Sequence, residues 1–193
     1  MTMDSLDQAK TDLLRAAGAG ISLPAAGMLF WLALGTAGYL LDPKAWGLVA
    51  CFGSGLIFPL GLLLSKPLGS NLFVKDRPLS SLALRAVVSI NLLWPLHFAV
   101  YFADPQLLPL SLAIGMGLHW PIIGWMYGSN ACFQHAFLRV GAASAVWFLY
   151  PEGRFTVLPF AVAAAYLVTI VQLKRELAAA QRPGEAEPLR DAI

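Results

Sequence analysis

Charge is what this sequence has least of. Asp, Glu, Lys and Arg make up 12% of its 193 residues against 58% hydrophobic, and the mean hydropathy is +0.67. A soluble domain carries about 25% charged residues because its surface meets water. Half that supply excludes a soluble globule of this size, and it is explained if most of the outside faces lipid. The net charge of +2 comes with no basic run, which excludes a nucleic-acid surface. Cysteine is almost missing: Cys51 and Cys132 make no CxxC pair and complete no metal set with histidine. They are expected near opposite membrane faces, farther apart than the roughly 7 Å that a disulfide tolerates between Cα atoms.

Catalytic patterns are missing as well. There is no HExxH, no paired carboxylate and no nucleophile beside a base; Ser144 has no His in its own helix. No catalytic residue or cofactor is therefore expected. All eleven Asp and Glu fall outside the apolar runs or at their ends, which disfavours proton or sodium coupling through an embedded carboxylate.

What is present is apolar length. A bilayer core about 30 Å thick needs roughly 20 helical residues, and six runs meet that need: 20–41, 45–64, 82–103, 106–127, 131–150 and 155–173. Breaks separate them at Asp42-Pro43-Lys44, Ser65-Lys66-Pro67, Asp104-Pro105, Gly128-Ser129-Asn130 and Pro151-Glu152-Gly153-Arg154. The fifth run is the least apolar, since it holds Gln134, His135 and Arg139. The first follows a polar segment and is long enough to span, so it reads as a span and not a leader. The expected fold is an all-α polytopic bundle of six transmembrane helices.

Orientation follows from basic residues, which concentrate on cytoplasmic loops. With both termini inside, the inner segments carry Lys10, Arg15, Lys66, Lys75, Arg77, Arg85, Lys174, Arg175, Arg182 and Arg190, the outer turns only Lys44 and Arg154. Three regions result. Residues 1–19 form a cytoplasmic segment whose Leu6, Leu13, Leu14 and Ala17 share one helical face, as in a helix lying on the inner surface. Residues 20–173 form the transmembrane domain. Residues 174–193 extend the last helix and then become a polar tail too poor in apolar residues to fold alone. The loop 65–81 is expected to be solvated and to set topology, or to touch anionic lipid.

Prolines fall well inside three spans. Pro59, Pro95 and Pro121 each remove a helical hydrogen bond and free a carbonyl four residues earlier, at Gly55, Asn91 and Gly117. Such carbonyls either find partners on neighbouring helices or line a polar pocket, as in transporters with broken helices. The segment Leu92-Leu93-Trp94-Pro95 through Tyr101 also resembles Leu118-His119-Trp120-Pro121 through Tyr127, a faint internal similarity. Gly47, Ser54 and Gly61, and the Gly124/Gly128 pair, supply small faces for close packing. A dimer through the Gly124 face is compatible with this spacing.

Polar residues within the spans are few. Asn91 and His97 lie in span three; His119, Tyr127, Asn130, Gln134, His135 and Arg139 lie in or between spans four and five. Arg139 stands one turn above His135, about 12 Å into its span at 1.5 Å per residue. With no acid beside it, its guanidinium needs carbonyls, Asn, Gln or Tyr, lipid phosphate or an anionic ligand. A net positive, ligand-binding site in the inner half is therefore expected from His119, Tyr127, Asn130, Gln134, His135 and Arg139. Two alternatives stand beside it: Arg139 snorkelling to headgroups while the histidines join helices, and a haem or metal held by His119 and His135.

The segment from Ser54 to Gly61 (SGLIFPLG) followed by Ser65-Lys66, then Leu158-Pro159-Phe160 with Tyr166-Leu167, and the Tyr127-Gly128-Ser129 turn resemble a family of uncharacterised small bacterial membrane proteins carrying a domain-of-unknown-function label. The resemblance runs from about Gly27 to Leu173. It implies a bacterial plasma membrane, a multi-pass location and a compact six-span fold, and carries over no activity. The resulting functional expectation is a small-solute transporter, channel or binding protein whose partners are the lipid bilayer and an anionic or polar small molecule. The competing expectation is a structural or regulatory membrane protein acting through lipid or protein partners. Oligomeric state is left open.

Overall fold

The computed structural model describes residues 2–75 and 77–182. Asp76 and the polar tail from residue 183 onward lie outside the described residues. Among those described, the chain is all-α: α1 (Met3–Ala16), α2 (Ser22–Ala37), α3 (Pro43–Gly53), α4 (Ile57–Ser65), α5 (Ser80–Asn91), α6 (Trp94–Ala103), α7 (Leu108–Gly115), α8 (Trp120–Tyr127), α9 (Asn130–Leu149) and α10 (Val157–Ala180).

Five helical stretches are long and apolar enough to cross a membrane: Gly18–Ala37, Pro43–Ser65, Ser80–Ala103, Pro105–Tyr127 and Val157–Ala180. Helix α9 is 20 residues long, yet the polar groups Asn130, Gln134, His135 and Arg139 lower its hydropathy. The acids flanking these stretches act as caps. Asp42 Oδ1 accepts from the Lys44 and Ala45 N–H groups, and Asp104 Oδ1 from Gln106 N–H, each with proline next in sequence. A carboxylate answers the orphan N–H groups of a helix start, and proline fits the first turn because it lacks an N–H to leave unpaired.

The three stretches that hold Pro59, Pro95 and Pro121 are each interrupted. Residues Ser54–Leu56 form a 3-10 turn between α3 and α4; a turn at Leu92-Leu93 separates α5 from α6; one spanning Met116 to His119 separates α7 from α8. The two similar segments occupy equivalent places, since Trp94-Pro95 and Trp120-Pro121 each open the second half of a broken stretch. Loss of one backbone donor thus becomes a full change of helix. At the third break the Gly117 carbonyl accepts from Trp120 N–H at 3.1 Å.

Helix α10 packs between α2 and α9, with α7 and α8 closing over α9. Glycines make these contacts close. A Cβ on Gly27 would lie 2.8 Å from the Tyr166 ring, and one on Gly124 3.0 Å from the backbone of Phe133. The Gly124 face is therefore filled within the chain by the start of α9. Trp46 is buried, its indole N–H donating to Leu34 O at 2.9 Å. The apolar face of α1 meets the bundle through buried Leu13 and Leu14, with Lys10 lying 4.8 Å over the Trp125 ring. From α1 the chain enters α2 through three residues of left-handed backbone, Gly18, Ala19 and Gly20.

Candidate functional site

The six polar positions expected to form one site divide into two groups and an outlier. Arg139 and His135 point into the bundle, 0% and 1% exposed, and His119 sits in the turn before α8 with its ring 5.3 Å from Trp120. Asn130 and Gln134, one turn apart on α9, face outward. There they line an open groove of about 200 Å³ with Gln172, Arg175 and Glu176, and Gln172 donates to Gln134 at 3.1 Å. Tyr127 ends α8 and lies against Gly20 at the α1–α2 junction. Pro121 opens α8 beside the inner group, while Pro59 and Pro95 serve the other two breaks.

Arg139 does not run to the surface. Its Nε donates to Ala113 O at 2.6 Å and one terminal nitrogen to Leu112 O at 3.4 Å, while the other donates to the Tyr166 hydroxyl at 2.7 Å. Both carbonyls belong to the last turn of α7, which carries negative partial charge; Leu112 O also accepts from Met116 N–H, whereas the Gly117 N–H that would answer Ala113 O in a continuous helix goes to Ile114 O at 2.8 Å. The break before Trp120-Pro121 therefore frees the Ala113 carbonyl that the arginine meets at 2.6 Å. Gly117 makes room, since a Cβ there would lie 3.2 Å from Arg139 Cδ. The guanidinium carbon also lies 5.1 Å from the Trp31 ring and 5.4 Å from the Tyr166 ring, within cation–π range.

Aromatic rings continue the cluster. His135 lies between Trp120 and Tyr166, ring centroids 4.4 and 4.5 Å away, and Trp120 meets Tyr166 edge-on at 5.8 Å. His135 Nδ1 is 2.8 Å from Thr169 Oγ1. Among the described residues, the buried side-chain nitrogens and oxygens with no hydrogen-bond partner in the protein are Trp31 Nε1, His119 Nδ1, Trp120 Nε1 and His135 Nε2. All four belong to rings that touch one another or Arg139. Buried polar groups are normally satisfied, so their concentration around one guanidinium marks this spot. Donors dominate it. Two indole N–H groups are unanswered, and three acceptors are fewer than the N–H groups a guanidinium carries.

No acid touches the cluster: both ion pairs among the described residues lie within α1. Nor do three His, Cys, Asp or Glu side chains gather among those residues to hold a metal. His97, the remaining histidine, is engaged elsewhere, its Nδ1 2.8 Å from Ser111 Oγ. Both cysteines are buried free thiols.

Sequence reasoning missed Trp31, Trp120, Tyr166 and Thr169, which complete the site, and Glu176, which holds its helix in place. Glu176 accepts from Ser129 Oγ at 2.5 Å and from Ala131 N–H at 3.0 Å, so α10 supplies an N-terminal cap to α9 from 45 residues away. Trp31 lies far from either end of its span, which an interfacial tryptophan would not, and that signal was available. Glu176→Gln is expected to lower stability by about 1 kcal/mol through loss of a charge-assisted cap, a shift to be read by thermal unfolding in detergent.

No curated protein and no solved structure matches the chain. A family pattern does, over residues 6–176, which is most of its length and includes every residue of the Arg139 cluster. The chain thus belongs to DUF7010, a family of unknown function.

Proposed function

We propose that this protein is a bacterial plasma-membrane protein that crosses the bilayer six times, with both ends in the cytoplasm, and that it binds and passes a small anionic or acceptor-rich solute at Arg139. Two features support the topology. Helix α9, 20 residues, reaches about 30 Å at 1.5 Å per residue, enough for a hydrocarbon core. Its polar groups face the bundle or one end, and basic residues crowd the segments assigned inside.

The observation that carries the functional reading is the surplus of unanswered donors around a buried cation. A charge in a membrane interior is costly and is kept where it has a function, and here the two indole N–H groups beside it lack acceptors. The broken stretch α7–α8 supports the same reading, because interrupted helices place backbone groups at solute sites in transporters. A structural or regulatory role, through lipid or protein partners, is the second reading. It is favoured by the three acceptors and two ring faces that already hold Arg139, which suit a lock between α7, α9 and α10.

Thermal unfolding of the purified protein, followed by tryptophan fluorescence, distinguishes the two against a panel of anions, amino acids, metals and lipids. A ligand that binds only the folded state at a hundredfold excess over Kd stabilises it by about 2.7 kcal/mol. The solute reading expects an anionic or acceptor-rich compound to raise the wild-type transition and to do so less for Trp120→Phe, which keeps a ring but removes an N–H. A response to lipid alone would overturn it in favour of the structural role.

A further inference from the structure

We infer that the Arg139 site takes its solute as a weak acid, with His135 Nε2 receiving the acid's proton while the anion is held by the N–H groups of Arg139 and Trp120. The inference rests on the solute reading above and specifies the class of solute.

The hydrogen bonds assign the histidine's tautomer. Thr169 Oγ1 donates its one hydrogen to Ala165 O at 2.8 Å, one turn back along α10. With that hydrogen on the carbonyl, the same oxygen accepts from His135 Nδ1, also 2.8 Å away. Nδ1 carries the hydrogen, and Nε2 of the neutral ring is left with a lone pair. That nitrogen is buried and has no partner in the protein. The cluster thus presents several donors in search of acceptors and, at His135 Nε2, an acceptor in search of a donor.

A bare anion answers only half of that demand, because it would leave the Nε2 lone pair without a proton. A weak acid HX answers all of it. The X–H bond breaks and an Nε2–H bond forms; the ring becomes an imidazolium that donates to Thr169 through Nδ1 and to X⁻ through Nε2. The anion accepts in addition from the indole of Trp120 and from spare guanidinium N–H groups. Charge is conserved as well. The site holds one positive charge before binding, and two positive and one negative after it, so no net charge is added to a low-dielectric interior.

The surroundings leave an imidazole as the proton's destination. The groups facing it are Arg139 on its own helix, His119 and Trp120 from the α7–α8 break, and Tyr166 and Thr169 from α10. None is a carboxylate, a guanidinium does not give up its proton, and an indole nitrogen does not accept one; His119, the other imidazole beside it, is told apart by its own assigned ¹⁵N signal. A membrane site without acids can in this way still couple a solute to a proton.

The test uses the full chain in detergent, ¹⁵N-labelled at its three histidines, each signal assigned by single substitution. Formate and acetate are the weak-acid probes; nitrate and chloride are anions of strong acids. Formate is expected to move the His135 Nε2 resonance from the unprotonated to the protonated range. In weakly buffered solution near neutral pH, about one proton should be taken up per formate bound. Trp120→Phe should weaken formate binding severalfold with the proton count unchanged, and His135→Gln should abolish uptake. Binding of formate or acetate without proton uptake, or stabilisation by nitrate and chloride alone, would overturn the weak-acid assignment and leave the solute site standing. Silence from all four probes overturns the assignment too, and silence from the wider panel as well removes the solute site with it.

Discussion

Arg139→Ala is expected to destabilise the protein by about 3–5 kcal/mol, the range for removing one partner of a buried charged network and leaving a cavity. Truncation strips the Leu112 and Ala113 carbonyls at the end of α7 of their charged donor, takes a partner from the Tyr166 hydroxyl, and empties the space between Trp31, Gly117 and Tyr166. Three helices lose a common tie at once. Arg139→Lys keeps the charge but lacks the planar fork that reaches two carbonyls and a hydroxyl together, so its loss should be smaller and still clear. Denaturant titration in detergent, monitored by tryptophan fluorescence, measures both. An alanine variant within about 1 kcal/mol of the wild type would mean that the guanidinium does not tie the bundle together.

Gly18→Ala should cost about 2–4 kcal/mol, from two sources that add. The backbone there has φ of 56°, where an L side chain is strained by about 1–2 kcal/mol. A Cβ would also sit 2.1 Å from the Gly69 carbonyl oxygen, an overlap that forces the segment after α4 to move. That segment is held close: Asn71 N–H donates to Ala17 O and Ser22 N–H to Ser70 Oγ, both at 3.0 Å. Moving it would loosen the junction between α1, α2 and the end of α4. Gly55→Ala is the matching control. Nothing lies within 4 Å of its Cβ position and its φ is not positive, so it should be neutral or stabilise slightly by reducing unfolded-chain entropy. Thermal unfolding of the two variants side by side checks the contrast.

The elements were legible in the sequence because their causes are local. Asp42-Pro43 and Asp104-Pro105 read as breaks and are helix starts, since capping and proline geometry act within one turn. The apolar stretches were legible for the same reason, and α9 stood out as the least apolar through Gln134, His135 and Arg139. The site was legible only in part. Arg139, His135 and His119 were singled out by charge and depth, and they do share one neighbourhood. Asn130 and Gln134 were placed with them by closeness in sequence, but rotation along α9 turns them to the outer groove, while Tyr127 is a full helix away at the α1–α2 junction. Tyr166 and Thr169 looked like ordinary residues of an apolar span, and nothing local distinguished them.

What the pattern of residues decides without coordinates is the class of molecule: too little charge to clothe a soluble surface, apolar stretches of membrane length, and a lone arginine with no acid beside it. These are sums over composition and short windows, and they need no knowledge of which helix lies against which. What answers the arginine is a tertiary matter. Its acceptors come from the broken end of α7, its hydroxyl and one ring face from α10, its other ring face from α2, and the cap of its own helix from Glu176. Each partner lies tens of residues away in sequence, and its distance and direction are set by how α2, α7, α9 and α10 pack around their glycines.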